Sequence, residues 1–134
     1  MTKRIAFFGT TGLLSVALLG SGTMKLLGAE PLQQSMEHLG YPAYLLGILG
    51  FWMIAAVVAL WLPGLDRLRE WAYAGIVFQM TGAFVSHLFV GDALGQSIPV
   101  LGLLGLAVAS YLLRSATGTQ SGAVESAQPQ AAAV

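Results

Sequence analysis

The sequence contains no cysteine and has very few charged residues. Only 9% of the 134 residues are Asp, Glu, Lys or Arg, whereas about 25% is usual in globular proteins. Without cysteine, the chain has no disulfides, no thiolate metal ligands and no cysteine-bound iron–sulfur cluster. The two histidines are a poor supply for a haem or a dinuclear centre. We therefore expect no haem, iron–sulfur or zinc site and no other metal site.

An excess of basic charge is also missing, because six basic residues balance six acidic ones. The chain thus has no basic surface for a nucleic acid backbone, and we expect no nucleic acid partner. What the chain has instead is apolar surface: 56% of its residues are hydrophobic and the mean hydropathy is +0.75. A soluble domain of this length cannot bury so much apolar surface in one core. The composition therefore predicts an integral membrane protein whose main partner is the lipid bilayer.

The charges are distributed so that four long segments contain none. These runs without Asp, Glu, Lys or Arg are 20 to 28 residues long, and a helix needs about 20 apolar residues to cross a bilayer. Within lipid, a helix satisfies all its backbone groups internally. The sequence therefore predicts an all-α transmembrane four-helix bundle in a single domain, residues 1–114. We expect helices near residues 5–25, 42–62, 71–90 and 98–113, and a disordered tail over residues 115–134, which are rich in Ala, Ser, Gly and Gln.

The positive charges predict the orientation of these helices. Five of the six Lys and Arg residues fall on one side if the helices alternate, and only Lys25 falls on the other. Short cytoplasmic segments carry the excess of Lys and Arg. We therefore expect both chain ends to be cytoplasmic in a multi-pass protein of the cell membrane.

The third predicted helix carries a stripe of polar and small residues. Gln79, Ala83 and His87 recur every four residues, and three further small residues flank them: Gly75, Gly82 and Ser86. Small residues let helices approach closely, and polar ones avoid lipid by facing the bundle. This stripe is either a packing seam or one wall of a ligand pocket. Trp52, in the middle of the second helix, is likewise a packing residue or a pocket wall.

Further polar residues concentrate at the outer end of the bundle. Lys25 ends the first helix, and His87 and Asp92 lie at the end of the third. An ionisable group at membrane depth needs a partner. Lys25 is expected either to pair with Glu30 or Asp92 or to extend to the headgroups. His87 is expected to pair with Asp92 or Glu37, and it is the only candidate for acid–base catalysis.

Several short motifs together resemble one known family. They are the segments 21–26 (SGTMKL), 39–44 (LGYPAY), 70–75 (EWAYAG) and 81–83 (TGA), followed by Ser86 and His87. Over residues 20–114 the chain is similar to the DoxX-like family, whose members are small proteins with four membrane helices. The resemblance implies several roles, because related members are associated with quinone-coupled oxidation of thiosulfate, with membrane oxidoreductase complexes and, in a distant animal relative, with receptor assembly.

The resemblance also implies site residues and two departures. The matching positions are Lys25, Tyr41, Trp71, Tyr73, Ser86 and His87. Many members carry Lys where Met53 stands and an acid where Gln79 stands. If these two family positions form an ion pair between the second and third helices, replacing only one of them would leave a charge unpaired. The replacement of both by neutral residues, as in this chain, is what such a pair would allow. If the family chemistry depends on that pair, this protein lacks it.

Three functions remain open at this point. The first is binding of a quinone-like or other lipid-soluble molecule within the bundle by a redox-associated subunit. Its expected ligand-binding residues are Lys25, Tyr41, Trp52, Tyr73, Gln79, Ser86, His87 and Asp92. The second is a non-enzymatic accessory subunit or assembly factor that contacts another membrane protein or its own copies. The third is an enzyme that acts on a lipid-soluble substrate through His87.

Overall fold

The computed structural model describes residues 1–126 and consists of helices joined by short turns. The described residues contain no β-strand, so the prediction of an all-α fold is confirmed. Over residues 1–126, five α-helices and one 3₁₀ helix follow each other: α1 (Thr2–Leu26), α2 (Glu30–His38), α3 (Tyr44–Trp61), α4 (Asp66–Phe89), the 3₁₀ helix (Leu94–Ser97) and α5 (Ile98–Ser126).

Four of these helices are long and apolar enough to cross a membrane, as the sequence predicted. The candidate spans are α1, α3, α4 and the segment Leu94–Thr117, which combines the 3₁₀ helix with most of α5. The predicted number of spans is therefore confirmed by length and composition. The chain is a membrane protein, and its spanning helices require a lipid bilayer as their environment.

The four long helices form a closed ring. α1 packs against α3 and α5, and α4 packs against the same two helices from the opposite corner. The interior is filled by apolar side chains from all four helices: Leu14, Leu18, Met53, Val57, Leu60, Tyr73, Ile76, Met80 and Ala107. The outward faces carry exposed apolar side chains such as Leu13, Val16, Phe78 and Ile98, as expected for a surface solvated by lipid tails.

A close approach between two helices joins α1 to α3 through two glycines. A Cβ added to Gly50 would lie 2.6 Å from the carbonyl oxygen of Gly22, and a Cβ added to Gly22 would lie 3.1 Å from the carbonyl oxygen of Gly50. Small residues at such a crossing let two backbones touch in a membrane. This contact fixes the C-terminal half of α1, including Lys25, against α3.

The structure differs from the sequence-based expectation in two segments. The predicted outer loop contains the nine-residue helix α2, which begins with Glu30 and Pro31, two residue types favoured in the first turn of a helix. In addition, α5 continues to Ser126, where a disordered tail was expected from Ser115. The tail was predicted to be disordered only because its composition is polar and it has no apolar face. Such a composition does not prevent a helix from forming. The rest of the predicted tail, residues 127–134, lies outside the described residues.

Candidate functional site

A cavity of about 690 Å³ lies between α3 and α4. Its volume falls within the range of about 300–1,000 Å³ that is typical of small-molecule sites. The walls are almost entirely apolar and include two tryptophans, Trp52 from α3 and Trp71 from the first turns of α4. Both indole side chains are largely exposed, so the cavity opens toward the surroundings of the bundle.

Gln79 is the polar side chain on the cavity wall. It lies near the middle of α4, and its amide forms no hydrogen bond with any other residue that the structure describes. Met53 faces the same cavity from the middle of α3. The two positions at which the chain departs from the DoxX-like pattern, Met53 and Gln79, therefore line one cavity from its two opposite helices.

Lys25 lies next to this cavity and points into the bundle. Its ammonium donates to the Ser21 hydroxyl at 2.8 Å, one turn back along α1, and contacts the Met53 sulfur at 3.3 Å. The expectation that Lys25 pairs with Glu30 or Asp92 or extends to the headgroups is therefore wrong. The side chain turns inward because Ser21 and Met53 offer acceptors on the bundle side.

A second polar site lies at the end of the bundle that the sequence predicts to face outward, where one carboxylate joins two histidines. Asp92 Oδ1 lies 2.7 Å from His38 Nε2, and Asp92 Oδ2 lies 2.7 Å from His87 Nδ1. The Asp92 side chain is only 8% exposed, and those of His38 and His87 are 56% and 14% exposed. We call these three residues the outer triad. It links the water-exposed end of α2 to the less accessible end of α4.

The turn after α4 positions Asp92 in this triad. Gly91 has a φ of +77°, a left-handed conformation that glycine adopts without steric cost. The Asp92 amide then donates to the His87 carbonyl oxygen at 3.0 Å, which ends the helix in the manner of a Schellman motif. This turn brings the carboxylate back onto the imidazole of His87, five residues earlier.

Hydrogen bonds from His87 and then from His38 lower the pKa of Asp92 below its ordinary value. The carboxylate is therefore ionised at neutral pH and accepts hydrogen bonds from both rings. Because Nδ1 of His87 donates to Asp92, the neutral ring keeps its lone pair on Nε2. A carboxylate that fixes a histidine in this tautomer is the arrangement found in general-base sites.

Tyr41 and Ser86 meet at a third place, a groove of about 520 Å³ along α4. The Tyr41 hydroxyl lies 2.8 Å from that of Ser86, which in turn donates to the Gly82 carbonyl oxygen. This groove is distinct from the cavity, because the two share no lining residue and the groove lies further along α4, from Phe78 to Val90.

Tyr73 lies in a buried network that the sequence did not predict. Its hydroxyl is 2.7 Å from that of Ser110 on α5, and the Ser110 hydroxyl is 2.6 Å from that of Thr11 on α1. Ser15 extends the network, because it donates to the Thr11 carbonyl oxygen and accepts a hydrogen bond from the Trp61 indole of α3. The network thus connects all four long helices.

The structure separates the eight expected ligand-binding residues into four places. Trp52 and Gln79 line the cavity, with Lys25 behind Met53 at its edge; His87 and Asp92 belong to the outer triad; Tyr41 and Ser86 lie in the groove; Tyr73 lies in the buried network. The stripe on α4 does not form one wall. Its residues are spread over more than a third of the helix circumference, so they face different neighbours.

The expected site residues did not include His38, although it was one of the polar residues of the predicted outer loop, and no network through Thr11 and Ser110 was expected. His38 could have been found from the spacing of Leu32, Met36 and Leu39, which predicts an amphipathic helix ending beside the bundle. The sequence signal for Thr11 and Ser110 is that each places a hydroxyl at a similar depth in a different span. Among the described residues, no group of three or more His, Cys, Asp or Glu is arranged to hold a metal ion.

Comparison with known proteins gives one match. Neither the curated proteins nor the solved structures contain a significant match to the chain. The model of the DoxX-like family matches residues 9–110, which is most of the chain and includes all four candidate spans in large part. The motifs and the four-helix architecture agree with this match, and the chain belongs to the DoxX-like family.

Proposed function

We propose that the protein binds a lipid-soluble small molecule in the cavity between α3 and α4. The observation that carries the proposal is the free amide of Gln79 in a cavity whose other walls are apolar. Ligand sites combine an apolar lining with a few polar groups that orient the ligand, and a polar group in a membrane interior is costly unless it has a partner. A ligand supplies that partner.

A quinone-like molecule is one class that fits these residues. Its ring can stack on the indole of Trp52, and a carbonyl oxygen can accept a hydrogen bond from the Gln79 amide. Bound quinone would supply electron exchange, while the residues of this chain bind and orient the ring. In this hypothesis the protein is a redox-associated subunit of the membrane.

Mass spectrometry of the protein purified from its native membrane in mild detergent tests this proposal. We expect a stoichiometric lipid-soluble molecule in the wild type and its loss in Gln79→Leu. His87→Leu is the matched control, because His87 lies on the same helix but outside the cavity. Equal retention by wild type and Gln79→Leu, or loss in His87→Leu alone, contradicts the assignment to this cavity.

A second candidate function is acid–base catalysis on a lipid-soluble substrate by the outer triad. The observation that favours it is the bond between Asp92 and His87 Nδ1, which leaves Nε2 as the basic nitrogen. Turnover of such a substrate would then fall by about 10²-fold or more in His87→Ala. It would also fall in Asp92→Asn, while the protein stays folded. Turnover unchanged in both variants contradicts this function.

A third candidate is an accessory subunit or assembly factor, or a homo-oligomer. It is supported by the exposure of the long helices, since only 17–33% of the apolar window of each span is buried within the chain. Crosslinking in native membranes distinguishes the alternatives. A second membrane protein recovered in constant ratio supports an accessory role, copies of this chain support an oligomer, and lipid alone contradicts both.

We further propose that both chain ends face the cytoplasm of a cell membrane. The support is the charge distribution: the ends of the bundle that carry Lys3, Arg67 and Arg114 lie on the side opposite the outer triad. Positive charge in short segments favours the cytoplasmic side.

A further inference from the structure

The half-buried side chain of Lys25 directs its ammonium toward α3, where no carboxylate of the described residues accompanies it. Its two polar contacts are the hydroxyl of Ser21 and the thioether of Met53, and none of the ion pairs in the described part of the chain includes it. A thioether is a weak hydrogen-bond acceptor. A cation held among apolar helices is expensive unless an anion accompanies it. The protein alone therefore leaves this cation without a counterion.

Lys25 is separated from the α3–α4 cavity by one side chain. Met53, whose sulfur contacts the ammonium, is 1% exposed and lines the cavity, and so does Leu26, the neighbour of Lys25 in sequence. Methionine has several rotatable bonds and a polarizable sulfur, which makes it an adaptable wall. A different Met53 rotamer would therefore remove the side chain that stands between the ammonium and a molecule in the cavity.

The backbone that carries Lys25 is held in place. The Cβ of Lys25 lies 3.0 Å from the position that a Cβ would occupy at Gly50, directly beside the Gly22–Gly50 crossing. The helix cannot move away from α3 without breaking this contact. The ammonium is thus presented to the cavity from a fixed site, while the cavity itself offers apolar walls and one neutral amide.

We propose that the cavity binds a single-chain amphiphile with a carboxylate head, whose carboxylate pairs with the ammonium of Lys25. This inference rests on the proposed function and names the class of its ligand. The apolar chain lies along the α3 and α4 walls beside Trp52, and the carboxylate replaces the Met53 sulfur as the partner of Lys25. The pair satisfies both charges in an environment where neither is stable alone.

The test compares two molecules that differ only in the head group. Purified full-length protein in mild detergent is titrated with palmitic acid and with hexadecanol at neutral pH, and native mass spectrometry measures the bound fraction. We expect the wild type to bind the acid about tenfold or more tightly than the alcohol, since a charge-assisted hydrogen bond is stronger than a neutral one. Lys25→Met loses this preference, Lys25→Arg keeps it, and Lys3→Met is the control for loss of a distant positive charge.

Several results would overturn the inference. Equal affinity of the wild type for acid and alcohol, tighter binding of a quinone than of the acid, or a preference that survives in Lys25→Met would each do so. The wild-type comparison stands even if Lys25→Met does not fold. If the alcohol or the quinone binds and the acid does not bind more tightly, this inference is overturned but the proposed function is not. Failure of all three molecules to bind overturns both.

Discussion

At the scale of single residues, the buried hydroxyls are the polar contacts that tie the helices together. Ser110 bridges Thr11 of α1 and Tyr73 of α4. Hydrogen bonds between membrane helices stabilise by only about 0.6–2 kcal/mol each, because the unfolded chain in the membrane also finds partners. Their main effect is therefore on the register of the helices, since shifting α1 by one residue breaks the contact between Thr11 and Ser110.

Replacing Thr11 by valine tests this network. The substitution keeps the shape of the side chain but removes the hydroxyl that contacts Ser110, so we expect the free energy of unfolding to fall by about 1 kcal/mol. Thr10→Val is the matched control, because the Thr10 hydroxyl bonds only to carbonyl oxygens of its own helix. Reversible unfolding in mixed micelles measures both. An equal loss in the two variants contradicts the proposed role of the network.

The outer triad makes the stability of the protein depend on pH, and the lowered pKa of Asp92 determines the direction of this dependence. Hydrogen bonds from His87 and His38 lower this pKa from the ordinary value of 3.8. The stabilisation is therefore fully present above pH 3.8 and is lost as the pH falls from there through the lower pKa of the folded protein. We expect the unfolding temperature to drop over this acidic interval, and to drop less in Asp92→Asn.

Glu30→Gln is the control for this prediction, because Glu30 is exposed and takes part in no ion pair within the described residues. The unfolding temperature of Glu30→Gln should change with pH in the same way as that of the wild type. A wild-type profile that Asp92→Asn does not change at acidic pH would contradict the stabilising role of the triad.

Side-chain contacts could be predicted from the sequence where the two residues lie close together in the chain. The pairing of His87 with Asp92 was an expected alternative, since a helix end followed by a glycine turn brings position 92 back to position 87. The contact of Lys25 with Met53 could not be predicted, because it depends on where α3 lies against α1. A lysine at a helix end has no sequence signal for whether it turns inward or outward.

At the scale of helices, the Gly22–Gly50 crossing holds α1 close against α3. Gly50→Ala places a methyl group 2.6 Å from the Gly22 carbonyl oxygen, and backbone cannot yield as a flexible side chain does. We expect a loss of about 1–3 kcal/mol in unfolding free energy from overpacking, partly offset by the higher helix propensity of alanine.

Gly47→Ala, one turn earlier on α3, is the matched control because its added methyl group meets nothing within 4 Å. This variant should unfold like the wild type or be slightly more stable. If both variants are equally stable in mixed micelles, α1 and α3 do not cross at these glycines.

The helices themselves were predictable to different degrees. The four spans follow from hydropathy, because about 20 apolar residues suffice for a crossing and the charges mark their ends. The short helix α2 was missed, because nine mostly polar residues give no such signal. Its half-buried residues, Leu32, Met36 and Leu39 among them, follow a helical period, but this period becomes meaningful only when the bundle beneath it is known.

At the scale of the whole molecule, orientation in the membrane is open to a direct test, because the chain has no natural cysteine. Single cysteines at exposed Thr2 and exposed Gln34 report the two sides. With both ends cytoplasmic, a membrane-impermeant maleimide labels Gln34→Cys in intact cells and labels Thr2→Cys only after permeabilisation. The opposite pattern would mean that the outer triad faces the cytoplasm.

The division of the expected site into separate places is also a property of the whole molecule. Gln79 and His87 share a stripe by sequence, yet one faces α3 and the other faces the turn after α4. The helical period indicates which residues share a face of a helix. How many separate sites these residues belong to depends on how many other segments pack against that face. The sequence therefore predicted a pocket and two of the residues that line it, Trp52 and Gln79, but not the remaining residues of its walls.

Ligand binding in the cavity between α3 and α4 is the central claim, and filling the cavity tests it most directly. Gly75 lines the cavity, and a Cβ added there meets nothing within 4 Å, so the side chain of Gly75→Leu is expected to extend into the cavity and fill part of its volume. Gly102→Leu on α5 is equally unhindered but lies outside the cavity. Native mass spectrometry of both variants, purified from the native membrane, should show a bound lipid-soluble molecule in Gly102→Leu and in the wild type but not in Gly75→Leu. A molecule retained in full by Gly75→Leu would contradict the claim.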